Sequence, residues 1–255
     1  MSKNKKTGFR SRNIYNPGQN ETFRISRSKF EAFLKCKRCF YLDRVKGVKF
    51  PDSPPFTLNN LVDELCKREF NDYRKKKKPH PLFKKIKFNG IPYDHENIED
   101  WQDAMHKGIQ YKDKNTNLLL TGGIDDVWLN LDTNKLVIAD YKATAKRNGV
   151  PDNILETEFY TGYKIQLDFY AWLFKKNDFD ISADSYFLFF NGSYDKKDFK
   201  NVMDFDPKFI YYKNDTSWID KEVSNMKSLL DSKNIPDYTA GCKFCDYSFA
   251  IKVTF

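Results

Sequence analysis

The 255-residue chain contains no apolar run approaching the ~20 residues that a membrane-spanning helix requires. Its amino terminus, MSKNKKTGFRSRN, is basic but lacks the apolar stretch of a secretory signal, so a cytoplasmic location is the expectation. No internal repeat is visible. Histidine is scarce, with three in the whole chain, and His80, His95 and His106 are each expected in a loop or at the surface. Cysteine is limited to five, and in a chain without a signal these are not expected to pair as disulfides.

What is present describes a folded protein. Hydrophobic residues make up 40% and aromatics 16%, which gives a globular middle rather than a disordered one. The length suffices for one domain with a real core. A net charge of +9 permits a polyanionic partner without naming it. Abundant Lys, Asn, Ile, Phe and Tyr fit an AT-rich genome and weaken the charge argument. Its clustering says more: Lys75 to Lys78, then Lys84, Lys85 and Lys87, and further on Lys146 and Arg147. The KKKK run by itself reads as a solvated loop.

Residues 1–24 are polar and basic and read as a flexible arm, with a single domain following over 25–255. A helix is expected from Ser28, and a second opens at Thr57 with Leu58, Leu61, Val62 and Leu65 at helical spacing. Residues 74–95, basic and punctuated by Pro79, Pro81 and Pro92, read as an exposed excursion, and a short helix follows around Glu99–Lys107. Strands are expected over Leu118–Asn130 and Lys135–Thr144, joined at Asp132-Thr133-Asn134. Glu158–Lys175 and Trp218–Leu230 read as helices. Ser185–Phe190 and Val202–Phe205 read as strands, with Asn191-Gly192 as a turn between them. Helices before, between and after a short sheet define a mixed α/β core.

The chemistry concentrates in the hairpin. A symmetric turn between Asp132 and Thr133 sets Asp125 opposite Asp140, and directly opposed residues share a face with Cβ atoms roughly 4.5–5.5 Å apart. Two carboxylates so close repel unless a proton or cation lies between them. A hard divalent ion with oxygen ligands fits there. Lys142, two residues beyond Asp140, falls on the same face, whereas Asp126 points to the other. Two carboxylates and a lysine around a metal suit phosphodiester hydrolysis. Gly122 and Gly123, lacking side chains, would let a nucleic-acid backbone approach the strand.

"GGIDDVW" followed by "VIADYKAT" resembles the paired motifs of the PD-(D/E)XK nuclease superfamily, with Asp125, Asp140 and Lys142 at the motif positions. "YKIQLDFYAWL" is similar to the Q-x-x-x-Y helix motif of its RecB-like branch at Gln166 and Tyr170. "ISRSKFEAFLKCKRCFYL" resembles the opening of the same branch. The resemblance implies a restriction-endonuclease-like core, a short mixed sheet flanked by helices, and hydrolysis of DNA with Mg2+ or Mn2+. It further implies a metal ligated by Asp125, Asp140 and the Tyr141 carbonyl. The branch usually adds a histidine on the early helix; "LNNLVDELC" has Asp63 at that place and Glu64 after it, alternative ligands in the histidine's stead.

Four cysteines form two C-x-x-C pairs, Cys36/Cys39 and Cys242/Cys245, a spacing suited to one metal centre. Nucleases of the CRISPR-adaptation and recombination type resemble this with a [4Fe–4S] clasp. They divide the ligands one and three where this chain divides them two and two, which keeps Zn2+ open. Cys66, on the apolar stripe of its helix, is expected in the core. The reading at this point is a DNA nuclease of repair, recombination or end processing, working beside a helicase or other repair protein. The alternative is an inactive nucleic-acid-binding module retaining the fold.

Overall fold

A computed structural model describes residues 8–51 and 54–254. The chain divides into two compact units. The first gathers residues from Met1–Pro54, Tyr111–Thr121 and Ser217–Phe255; the second gathers Pro55–Gln110 and Gly122–Thr216. No described helix is long and apolar enough to cross a membrane.

The first unit is built on a three-stranded sheet in the order β1-β4-β3: β1 (Phe23–Ser26), β3 (Ile109–Lys112) and β4 (Leu118–Gly122), with β1 parallel to β4. Its helices are α1 (Arg27–Lys35), α2 (Lys37–Arg44), α6 (Ile219–Asp231) and α7 (Lys243–Thr254). The helix expected from Ser28 is two helices, because Cys36 has extended backbone and serves as C-cap of α1 and N-cap of α2 at once. Phe30, Phe33 and Phe40 fill the core, and Trp218 stacks on Phe30 at 5.8 Å. Val223, Met226 and Leu230 present one buried stripe of α6.

Of the expected flexible arm, residues 1–7 lie outside the described residues; the remainder is tied into this unit. Phe9 bridges to Val48, and the buried Tyr15 donates its hydroxyl to Asp231 at 2.6 Å. Arg10 ion-pairs with Asp43, a buried carboxylate that also holds Lys29 at 2.9 Å and Arg44 at 2.8 Å. The polar composition concealed these few anchoring side chains.

The second unit carries a five-stranded sheet in the order β2-β5-β6-β7-β8. Its strands are β2 (Gly90–Pro92), β5 (Asp126–Asn130), β6 (Leu136–Thr144), β7 (Ile181–Gly192) and β8 (Phe205–Lys213). Neighbours are antiparallel except β6 and β7, which run parallel and are connected through helix α5 (Thr161–Lys176), as a parallel pair demands. β6 is buried from Leu136 through Tyr141, covered on both faces. Val137, Ala139 and Tyr141 pack with Val62, Cys66 and Phe70 of α3 (Thr57–Lys75). α5 lies against β6 and β7 and is buried continuously from Gln166 to Phe174.

Several expectations change here. The single strand over 118–130 is two, β4 and β5, in different sheets. Residues 74–95 are no exposed excursion. Arg74, His80 and Phe83 are buried, a 3-10 helix covers Pro81–Ile86, and His80 stacks on Phe70 at 3.9 Å. The short helix is α4 (Ile98–Gln102). Asn191 and Gly192 belong to β7, paired with Asp206 and Phe205, and Val202 precedes β8. On α3, Val62, Cys66, Phe70 and Arg74 are the buried stripe, while Leu58, Leu61 and Leu65 are about half exposed.

Candidate active site and metal centre

Alternation along β6 decides which side chains meet. Asp126 pairs with Ala139, Val127 with Ile138 and Trp128 with Val137, the register expected of the symmetric turn. It brings Asp125, one residue before β5, level with Asp140. Asp140 and Lys142 then look toward α5, where Gln166 Nε2 donates to Asp140 Oδ1 at 2.6 Å and to the Tyr170 hydroxyl at 3.1 Å. Lys142 ion-pairs with Asp140 Oδ2 and donates to Gln166 Oε1 at 3.5 Å. Its ammonium also lies 4.9 Å from the centre of the Tyr163 ring. Asp125, Asp140, Lys142, Gln166 and Tyr170 are thus brought together.

Asp125 stands at a corner of the chain. Ile124 donates its amide to the Trp101 carbonyl at 3.0 Å, and Gln102 donates to the Asp125 carbonyl at 2.8 Å, so α4 fixes the bend. A Cβ on Gly122 would come within 2.7 Å of the Tyr170 ring, and one on Gly123 within 2.3 Å of the Ala104 Cβ. These glycines make room for the protein's own side chains, in place of the nucleic-acid approach expected of them.

Asp126, on the opposite face, is fully buried and satisfied. It pairs with Arg74 and accepts from the Trp128 indole at 2.8 Å and the Tyr141 hydroxyl at 2.6 Å. The Tyr141 side chain is committed there, while its amide donates to Asp125 Oδ2 at 2.9 Å.

Of the two alternatives on α3, Asp63 reaches the site and Glu64 does not. Glu64 is exposed and paired with Arg68, one turn along the helix surface. Asp63 Oδ1 is buried without a hydrogen-bond partner, and Oδ2 accepts from Lys67 at 2.7 Å. Lys67 Nζ also lies 3.1 Å from Asp125 Oδ1. Sequence reasoning missed Lys67, although an acid and a lysine four apart on a helix are neighbours. The histidines are engaged elsewhere: His80 in the core, His95 stacked on Trp101 at 4.3 Å, and His106 beside Asp103.

The carboxyls sit at unequal pKa. Burial, opposed by Lys142 and aided by Asp125, pushes Asp140 up to about 7. Burial and the Asp125 charge push Asp63 up to about 6. Burial acts on Asp125 too, but the Lys67 and Lys142 ammoniums outweigh it and hold that carboxyl below the ordinary carboxylate value. An unpartnered carboxylate oxygen on Asp63 beside the carboxyls of Asp125 and Asp140 is a donor set that a hard divalent cation accepts.

The cysteines gather in the first unit. The Sγ atoms of Cys36, Cys39, Cys242 and Cys245 all lie within 4.8 Å of one another. Cys36–Cys245, Cys39–Cys242 and Cys39–Cys245 are each 3.6 Å apart. The Cys39 amide points at Cys36 Sγ at 3.4 Å, an arrangement set by Cys36 capping α2. Cys66 is buried on α3 and takes no part in the cluster.

A mixed sheet flanked by helices, with acids and a lysine meeting beside its central strand, is the architecture of a restriction-endonuclease-like fold. The family model of the PD-(D/E)XK nuclease superfamily matches residues 53–250, and the chain belongs to that superfamily, whose nucleases use divalent metals. No curated protein matches the chain.

Proposed function

We propose that the chain is a metal-dependent nuclease of the RecB-like branch that hydrolyses DNA phosphodiester bonds in repair, recombination or end processing. The observation that carries this is the convergence of the partly exposed Asp125 and Lys142 with the buried Asp140, Gln166 and Tyr170 in one cluster. Asp125, Asp140, Asp63 and the Tyr141 carbonyl would hold Mg2+ or Mn2+, which supplies Lewis-acid polarisation of the phosphate and a stronger water nucleophile at neutral pH. Gln166 fixes Asp140 by its Oδ1, leaving the other oxygen toward Lys142. Lys142 serves as an ammonium that orients the attacking water and offsets charge on the phosphate oxygens. Tyr170 holds Gln166 in place.

The surrounding surface suits a nucleic acid. The rings of Phe159, Tyr160 and Tyr163 follow one another at 5.0 and 5.1 Å, ending beside Lys142. Lys146 lies 5.8 Å over Tyr160 and Arg147 4.7 Å over Tyr194, so cations and ring faces alternate. On the resemblance, the working partner is a helicase or other repair or recombination protein, and the location is cytoplasmic.

Incubation with labelled single- and double-stranded DNA and Mg2+ or Mn2+, beside Lys142→Ala, tests the reading. Loss of one such charge donor is expected to slow cutting by about 100- to 1,000-fold while DNA binding persists. Equal cutting by both proteins sinks it. One observation favours a second reading, an inactive binding module: Lys67 already neutralises Asp63 and Asp125. Binding without cutting by the native chain would establish that reading instead.

A further inference from the structure

We propose that Cys36, Cys39, Cys242 and Cys245 bind one zinc ion as a tetrahedral tetrathiolate centre, in place of the [4Fe–4S] cluster that the resemblance implies. The spacing of the four sulfurs distinguishes the two centres. A single tetrahedral ion with Zn–S bonds of ~2.3 Å places its sulfurs ~3.8 Å apart along each edge of the tetrahedron. Three of the pairs here stand at 3.6 Å, and none exceeds 4.8 Å. In a four-iron cluster each thiolate sits on a separate iron, outward of a cage whose corners are shared with four sulfides. Any two thiolates are then separated by an iron–iron edge in addition to their own bonds. Four sulfurs gathered this closely leave room for one ion at their centre and none for that cage.

The local backbone agrees. Each pair has the two-residue spacing that lets neighbouring sulfurs meet on one ion. The Cys39 amide at Cys36 Sγ is the kind of N–H donor that stabilises a negatively charged thiolate. The cluster sits at the start of α2 and the start of α7, two helices that the chain sequence keeps far apart. Closing that long loop through one ion contributes stability to the first unit. Zinc has no redox chemistry, so the site carries no electron and acts through structure.

The test uses the full chain expressed in medium supplied with both iron and zinc and purified anaerobically, so that a cluster would survive. The expected result is one zinc per chain, negligible iron and acid-labile sulfide, and a colourless protein. Replacement by Co2+ should give the intense visible bands of a tetrahedral tetrathiolate. Cys36→Ser and Cys242→Ser are expected to lose the ion, and Cys66→Ser to keep it. Iron and sulfide at four each per chain with visible absorption would overturn the proposal, as would a native chain free of metal. The Co2+ spectrum of the native chain decides the matter even where a variant fails to fold. Every readout is independent of cleavage, so failure here and failure of the nuclease reading are separate events.

Discussion

Asp126 and Asp125 are adjacent acids with opposite fates, and the contrast locates the protein's most sensitive side chains. Asp126 is a buried charge whose partners are Arg74, Trp128 and Tyr141. Removing one member of a buried pair strands the other, at a cost of about 3–5 kcal/mol. Arg74→Ala is therefore expected to lower unfolding free energy by about that amount in a denaturant titration, without touching a group at the candidate active site. Asp43 makes a second case. Burial alone would raise its carboxyl, but Arg44, Lys29 and Arg10 outweigh burial and hold it below the ordinary value. A depressed carboxyl pKa contributes stability that is complete above ~pH 4, the unfolded value, and is lost as pH falls through the folded value. Acid titration of stability should show this decline, and Asp43→Asn should be less stable near neutrality yet flatter below ~pH 4.

At the scale of elements, the hairpin was legible because the polar turn at Asp132-Thr133-Asn134, taken as symmetric, sets the register, and side chains alternate between the two faces of a strand. The choice of Asp125 over Asp126 followed from that alternation. The corner at Gly122 and Gly123 was not legible. Leu118–Asn130 reads as one strand, and the break depends on Tyr170 and Ala104, residues distant in sequence. The lysine-rich stretch 74–95 misled for the reverse reason: its charges are on the surface, but His80 and Phe83 anchor it to α3 and to Trp128. The segment containing Phe159 and Tyr160 leads to a further expectation. Base–aromatic stacking contributes ~1–3 kcal/mol per base, so Phe159→Ala and Tyr194→Ala should each weaken binding of a single-stranded oligonucleotide by roughly 5- to 150-fold. A duplex, whose bases are already stacked, should be affected far less. Fluorescence anisotropy with both probes would separate the two, and equal weakening would show that the rings contribute nothing specific to exposed bases.

At the scale of the molecule, paired C-x-x-C spacing was enough to gather four cysteines, because thiols that join distant segments need only meet at one point. Their separation could not be read from spacing, since it depends on how α2 and α7 begin. The division into two units was hidden for a related reason. The chain passes between them repeatedly, so neither unit is a continuous stretch of sequence.

That interleaving fixes an order of events during synthesis. The second unit is complete once residue 216 has been made, whereas the first lacks its closing segment until the last helix emerges. At ~5–20 residues per second, Cys36 and Cys39 wait roughly 10–40 s on the ribosome before Cys242 appears. The nascent chain thus carries two unprotected thiols while its nuclease sheet can already form, and oxidative damage in that interval would reach the protein before the centre can close.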